Sequence, residues 1–399
     1  MTRLVNNIWL MMGLLLPMVT WAEGQPESDV DTVAMMRNDY IKASLLIADP
    51  ASEVYSVFGH CALRMQCPSQ EMDYTFTFET STDTEGIINF MRGTALGGFM
   101  AAKTDNYLTA YQEAGRGVTE YMLNLTPEEK LKLWQTVDEE MEKGFTRHYG
   151  YMHVQCTSMI ISLVNRALGT RIKYNELPAE LNGSFRDLML DASERYPWTA
   201  FFWQTIMGPE GDETEPLAHK LIPKLLPVAW AKATIGGEKR RLIEDTGTKI
   251  VQGTVNTQAS VCWLSPLVVF TFFLVFIVGV SLGEWRKNWR RLPRIVDGIL
   301  VVLHTLLSLL LTWMVLFSTQ EGTQWNWYLV VFNPLPLLLW ILVPGWRLWI
   351  CRCFLMVLLL FLIASPFIPQ LDLPHALIVA ALAVRLYRKI RTLTLYKNR

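Results

Sequence analysis

The stretch "HYGYMHVQCTSMIISLVNRALG", His148 to Gly169, decides how the first half of this chain is read. From Thr157 onward Ile160, Ile161, Leu163, Val164 and Leu168 recur at near-helical spacing, and Gly169 follows as a stop signal. That places Cys156 at the start of a helix. Backbone N–H groups there lack intrahelical partners and carry partial positive charge, which stabilises a thiolate and lowers the thiol pKa. Nucleophilic cysteines occupy such positions, and so do inert, half-buried thiols, because free cysteine is among the most buried residue types.

Upstream of this helix, "YIKASLLIAD" reads as a strand and "PASEVYSVFG" as a turn or short helix. "HCALRMQ" and "DYTFTFET" read as two strands joined by a Pro-Ser turn, and "GVTEYMLNL" as another. "TPEEKLKLWQTVDEEMEKG" is a helix with its own punctuation: Thr126 caps it, Pro127 opens the first turn, Glu129 completes a capping box and Gly144 ends it. Residues 30–235 are enough for one domain with its own core. The mixture predicts an α+β domain, with helices packed on a largely antiparallel sheet.

Two segments after Gly169 are unusually apolar: "RYPWTAFFWQTIMG" is rich in aromatic residues, and "AHKLIPKLLPVAWAKATIG" pairs lysines with tryptophan. Both suit either a membrane interface or ordinary core and surface helices. "GGEKRRLIEDTGTKIVQGTVNTQAS" is polar enough to be a connector, so residues 236–261 are read as a linker.

The chain is 51% hydrophobic over 399 residues with a formal net charge of -1, but these averages conceal two different halves. The opening "MTRLVNNIWLMMGLLLPMVTWAEGQ" has a basic start at Arg3, an apolar run from Ile8 to Val19 and small residues near Ala22. It reads as a signal peptide over residues 1–22 or as an uncleaved anchor, and either one exports the domain behind it. From Cys262 to the end, residues 262–399, apolar runs alternate with basic clusters. Five runs are long enough to cross a hydrocarbon core of ~30 Å: 262–283, 295–317, 327–348, 353–371 and 373–390. With five spans, the clusters at Arg286–Arg294, at Arg347 and Arg352, and at Arg388–Arg399 share one side. The loops "STQEGTQWN" and "PQLDLP" contain no Lys or Arg. The positive-inside rule then puts the C-terminus in the cytoplasm and the first domain in the periplasm. Asp297, His304 and Asn333 are polar positions inside apolar runs, which either function or pair between helices.

Of six cysteines, Cys61, Cys67 and Cys156 fall in the exported domain. Three is odd: in an oxidising compartment a local Cys61–Cys67 pair would leave Cys156 as a free thiol. A useful thiol needs a base, and the domain offers His60, His148, His153 and His219. His60 is preferred because it follows Gly59 and opens a strand. No Cys-x-x-Cys or His-x-x-x-His cluster supplies a metal set, no phosphate loop marks a cofactor, and nothing suggests nucleic acid.

The succession "YSVFGHCALRM", "DYTFTFET", "GRGVTEYMLNLTPEE" and "YGYMHVQCTSMIISLVNRAL" resembles the Lnb family of lipoprotein N-acyltransferases, from about Ala43 to Leu168 and more loosely through the membrane half, "FNPLPLLLW" included. The order of His before Cys is also similar to the permuted papain-like fold. The resemblance implies a periplasmic catalytic domain of that fold in the bacterial cytoplasmic (inner) membrane, with His60 as base and Cys156 as nucleophile. Arg116, Tyr151 and His153, which fall in these motifs, are the candidates for substrate contact. Gln155 stands where the family often has Asn, and Tyr74 to Thr77 lacks the family's Asn and Gly, which leaves the histidine-orienting residue unassigned. The implied reaction moves an acyl chain from a membrane phospholipid, through a Cys thioester, to the α-amine of a diacylglyceryl-modified lipoprotein, without a cofactor. The alternative is a membrane-anchored cysteine hydrolase acting on peptidoglycan or lipid, and a non-enzymatic sensor is a third class.

Overall fold

The computed structural model describes residues 40–397 apart from Val54, Tyr151, 176–182, 214–221, 237–239, 244–245, 255–263 and Asn288. The expected signal segment, His219, Tyr151 and Cys262 lie outside the described residues.

The first domain is built on a seven-stranded antiparallel sheet in the order β10-β5-β1-β2-β3-β4-β6. Its strands are β1 (Lys42–Ala48), β2 (His60–Cys67), β3 (Met72–Thr80), β4 (Leu96–Lys103), β5 (Val118–Met122), β6 (Arg147–His148) and β10 (Thr248–Val251). A small second sheet joins β7 (Ile172–Lys173), β8 (Thr234–Ile235) and β9 (Arg240–Arg241). β1 and β2 are central and apolar on both faces, whereas the polar Arg64 and Gln66 at the far end of β2 are held by Asp73 and Glu120.

Between the strands come α1 (Thr84–Arg92), α2 (Thr104–Glu113), α3 (Pro127–Glu142) and α4 (Cys156–Leu168). α3 carries the Thr126–Glu129 capping box that its sequence announces. It packs with α4 on one face of the sheet, where Leu133, Val137, Ile160, Leu163 and Val164 meet Leu45, Leu63, Phe76 and Phe78. α2 covers part of the other face through Tyr107. Glu140 of α3, its side chain almost fully buried, binds Lys143 (2.6 Å), Arg147 (2.5 Å) and Arg166 of α4, so helix α4 is pinned electrostatically as well as by its apolar face. These cations hold the Glu140 carboxyl, against its burial, at a pKa of about 2.

The expected linker 236–261 is not a plain connector. β9 and β10 both lie in it, Leu242 and Ile243 are buried, and Arg240 forms a bidentate pair with Glu129. Strands of two to four residues at a sheet edge carry too few apolar residues to show periodicity.

Helices α5 (Phe185–Ala192), α6 (Pro197–Ile206) and α7 (Leu226–Lys232) complete the first domain. The membrane half consists of α8 (Pro266–Lys287), α9 (Arg291–Phe317), α10 (Leu335–Leu342), α11 (Arg347–Ala364) and α12 (Leu373–Lys397). Among the described residues, three helical stretches are long and apolar enough to cross a membrane: Pro266–Lys287, Arg291–Phe317 and Pro344–Phe367. Of the other two expected runs, one is broken at Asn333–Pro334, leaving the short α10, and the other is α12, a long helix with Arg385 within it. Arg385 makes a bidentate pair with Asp297 of α9 (2.8 and 3.1 Å) and reaches Glu284 of α8 (2.9 Å). Asp297 is therefore an interhelical partner, whereas His304 bonds to the Val331 carbonyl and the Asn333 side chain accepts locally from the Leu335 N–H at the start of α10.

The chain enters β2 through Gly59, whose φ of +83° lies in the left-handed region and where a Cβ would stand 2.7 Å from the Ala48 carbonyl oxygen. Gly59→Ala is therefore expected to destabilise the domain by about 2 kcal/mol. Thermal denaturation of the detergent-solubilised chain checks this, and an unchanged Tm would mean that the turn accepts a side chain.

Candidate active site

The sequence places a thiol and an imidazole at the first residues of two elements, and the fold brings those elements together. α4 begins at Cys156 because Gln155 caps it: the Gln155 side chain accepts from the Thr157 N–H (2.8 Å), and the Ser158 hydroxyl accepts from the Gln155 N–H (3.0 Å). The glutamine that departs from the family pattern thus fills the capping role through its side-chain carbonyl. β2 begins at His60, and α4 packs across β2 and β3, so the His60 ring and the Cys156 thiol are close enough for each to shift the other's titration.

Cys156 is only 6% exposed, yet its pKa is held well below the ordinary thiol range. The chief cause is a hydrogen bond from the neighbouring Cys61 thiol, followed, against the cost of burial, by the charge and hydrogen bonding of His60. Burial pushes Cys61 itself far up, so it remains a protonated donor. Burial likewise opposes the charged form of His60, but the Cys156 thiolate outweighs it and raises the imidazole pKa. The two shifts run in the same sense, each favouring a thiolate beside an imidazolium.

The ring's other interactions supply the orienting residue that sequence left open. His60 Nε2 lies 2.7 Å from the Thr77 hydroxyl, which donates in turn to Glu79 (2.9 Å). With an imidazolium every proton in this chain has a place: Nε2–H to the hydroxyl oxygen, and hydroxyl O–H to the carboxylate. Thr77 lies in the same "YTFTFET" strand that lacks the family's Asn. Its spacing from Glu79 puts both on one face of β3.

Tyr149, stacked on Phe78 at 5.7 Å, places its hydroxyl at the backbone N–H of Cys156, and burial raises its pKa far enough to keep the phenol protonated. Thr77, Glu79 and Tyr149 do not stand out in the sequence, and Cys61 is read there as a partner for Cys67 rather than for Cys156. The signal for its place at the site was its position directly after His60.

The other expected residues are distributed differently. His148 is exposed on β6. His153 pairs through Nδ1 with Glu321 (3.2 Å), in the loop after α9, and lines a cavity of about 400 Å³ along α4 with Met152, Ser158, Ile161, Ser162 and Asn165. Arg116 lies over the Tyr111 ring and donates from Nε to the Asp49 carbonyl. Its buried Nη2 has no hydrogen-bond partner among the described residues. Cys61 and Cys67 are free thiols and do not pair. They occupy one strand, six residues apart and so roughly 20 Å at ~3.3 Å per residue, beyond the ~7 Å limit for a disulfide. No group of three or more His, Cys, Asp or Glu among the described residues is placed to hold a metal ion.

Alkylation by iodoacetamide, followed residue by residue with peptide mass spectrometry, should show Cys156 reacting with an inflection well below the ordinary thiol range. His60→Ala should move that inflection upward. If Cys156 in the unmodified chain titrates like a free thiol, the thiolate–imidazolium state is wrong.

A family model described as the Lnb N-terminal periplasmic domain matches residues 32–188, and one described as the Lnb transmembrane domain matches residues 256–399. No curated protein and no solved structure matches the chain. The first match contains Cys156, His60 and the strand that orients the imidazole, and the second contains the apolar helices. Because both domains occur in one chain and in that order, it belongs to the Lnb family, as a membrane protein with a periplasmic N-terminal domain.

Proposed function

We propose that this protein is a lipoprotein N-acyltransferase of the bacterial inner membrane, with Cys156 as nucleophile and His60 as general base and acid. Family membership points to lipoprotein N-acylation. One observation carries the assignment of donor: the thiol–imidazole pair is built against the membrane half. Phe58, two residues before His60, and Met152, four before Cys156, share an apolar cluster with Leu310, Trp313 and Met314 near the end of α9. A soluble substrate has no need of such a wall, whereas a phospholipid acyl chain does.

The Cys156 thiolate attacks the ester carbonyl of the phospholipid. The developing oxyanion is met by the Tyr149 hydroxyl, whose oxygen the Cys156 N–H holds at the helix start. His60 gives its proton to the departing lysophospholipid alkoxide, leaving a thioester. The α-amine of the lipoprotein's lipidated cysteine then attacks the thioester carbonyl, His60 takes the amine's proton, and amide and thiolate result. Thr77 and Glu79 keep the ring aligned through both steps, and the unpartnered Nη2 of Arg116 is suited to the donor's phosphate. The cavity beside His153 accommodates the acceptor. The order of a histidine on an antiparallel sheet before a cysteine at a helix start supports a permuted papain-like fold. Five spans with the basic clusters inside leave the C-terminus cytoplasmic.

The test is mass spectrometry of a reporter lipoprotein's N-terminal peptide in cells lacking their own N-acyltransferase. The intact protein should add one amide-linked acyl chain and Cys156→Ala none. Membrane insertion of both without any added chain would refute the reaction. Thr77→Val should slow acylation of Cys156 by about 10- to 100-fold, with Thr77→Ser close to the unmodified rate. Equal rates for Val and Ser would remove Thr77 from its orienting role.

A further inference from the structure

We infer that α1 is seated in the periplasmic leaflet of the bilayer and forms the route by which a diacyl phospholipid reaches Cys156; this rests on the donor proposed above.

Asp83 caps α1, accepting from the Gly86 N–H at 2.6 Å, and Gly93 closes it at φ +77°. Its residues sort into two sides. Phe90 and Met91 pack inward, against the cluster that contains Leu310, Trp313 and Met314 of α9. Ile87 and Ile88 point away and are 47% and 44% exposed, and Leu96, just beyond the helix, is 45% exposed. Consecutive isoleucines on an open surface call for a cover.

The cover is identified by what holds the helix end. Carbonyls in the last turn of a helix have no partners within it. Here the membrane half supplies them: the Ser318 hydroxyl donates to Met91 O (2.6 Å), the Thr319 N–H to Arg92 O (2.9 Å) and the Gln320 side-chain amide to Phe90 O (2.8 Å). A Cβ on Gly93 would stand 2.5 Å from the Gln320 nitrogen, so the two backbones are in contact. Residues 318–320 directly follow Phe317, the last residue of a membrane-length helix whose Leu316 and Phe317 are exposed. α1 is therefore fixed at the level where that helix leaves hydrocarbon, and its isoleucines continue a lipid-facing surface. Trp325 and Trp327 in the same loop, and Trp198 at the start of α6, are exposed as well, the composition of a membrane–water boundary.

The inner side of α1 leads to the site. The Phe90 ring contacts Tyr149 (6.1 Å), whose hydroxyl stands at the Cys156 N–H. Two rings, Phe90 and Tyr149, lie between α1 and the thiol.

The experiment uses the full chain in vesicles of phosphatidylethanolamine and phosphatidylglycerol containing a phospholipid with a diazirine in its acyl chain. After photolysis, peptide mass spectrometry should find adducts at Ile87 or Ile88 as well as on the spans. Labelled spans with an unlabelled α1 overturn the inference. In a second arm, Ile87→Glu/Ile88→Glu should slow acylation of Cys156 by bilayer phospholipid at least tenfold, while alkylation by iodoacetamide and acylation by a short-chain p-nitrophenyl ester stay unchanged. Bilayer acylation at the unmodified rate overturns the route. Failure of the donor reading looks different: the unmodified chain is then never acylated by phospholipid, although α1 is labelled.

Discussion

The contact of α4 with β2 and β3 is the interaction on which the rest depends. Burying a large aliphatic side chain contributes about 1.5–3 kcal/mol, and α4 buries Ile160, Ile161, Leu163, Val164 and Leu168 against the strands. That apolar face fixes both the axis of the helix and its rotation. Its first turn then lies at the end of the sheet, where β2 begins. Cys156 and His60 are neighbours only because of this packing, and the same burial would suppress a thiolate if the site did not supply donors. It supplies the Cys61 thiol, the imidazole and the Cys61 backbone N–H. The thiol is thus activated inside a core rather than on a surface, which would keep water from the thioester proposed above.

A second constraint joins the periplasmic domain to the membrane half. Arg186, almost fully buried, binds Asp212, Gln204 and the carbonyls of Met207 and Gly208. Gln204 in turn donates to the carbonyls of Pro369 and Gln370. His375 of α12 sits between the rings of Phe201 (4.2 Å) and Tyr328 (4.1 Å), with Nδ1 on Asp372 and Nε2 on the Thr205 hydroxyl. This looks like an Asp–His–Thr catalytic set, but the Thr205 hydroxyl donates to the Phe201 carbonyl, and His375 and Thr205 are both buried. It holds two domains together, so the wall that α9 offers to the site stays in place.

The membrane half repeats this logic with charge. Arg385 inside α12 would be costly in lipid, and Asp297 and Glu284 from two other helices neutralise it. Such a cluster sets which helices adjoin. It also explains why α12 reads as a weak span: its hydropathy is lowered by a residue that never faces lipid.

What could be read from the chain obeyed short-range rules. The Thr126 capping box, the Gly169 stop, the β2–β3 hairpin and the start of α4 at Cys156 each depend on a few adjacent residues, and local sterics and hydrogen bonding settle such features. α1, β4 and α2 carry weaker signals, since Gly97 and Gly98 interrupt the alternation of β4 and α1 is only nine residues long. Sequence also singled out His60 and Cys156 by residue type and surroundings. It could not show Cys61 lying beside Cys156 and Thr157, or Thr77 meeting His60 and Glu79. Those contacts depend on strand register and on which face each alternating residue takes. The Cys61–Cys67 pairing failed for the same reason: proximity along a chain is distance along a strand. The sequence by itself determined the elements and the chemistry available to them. Tertiary structure decided which side chains share a pocket, because only packing brings distant residues within the few ångströms over which hydrogen bonds and desolvation act.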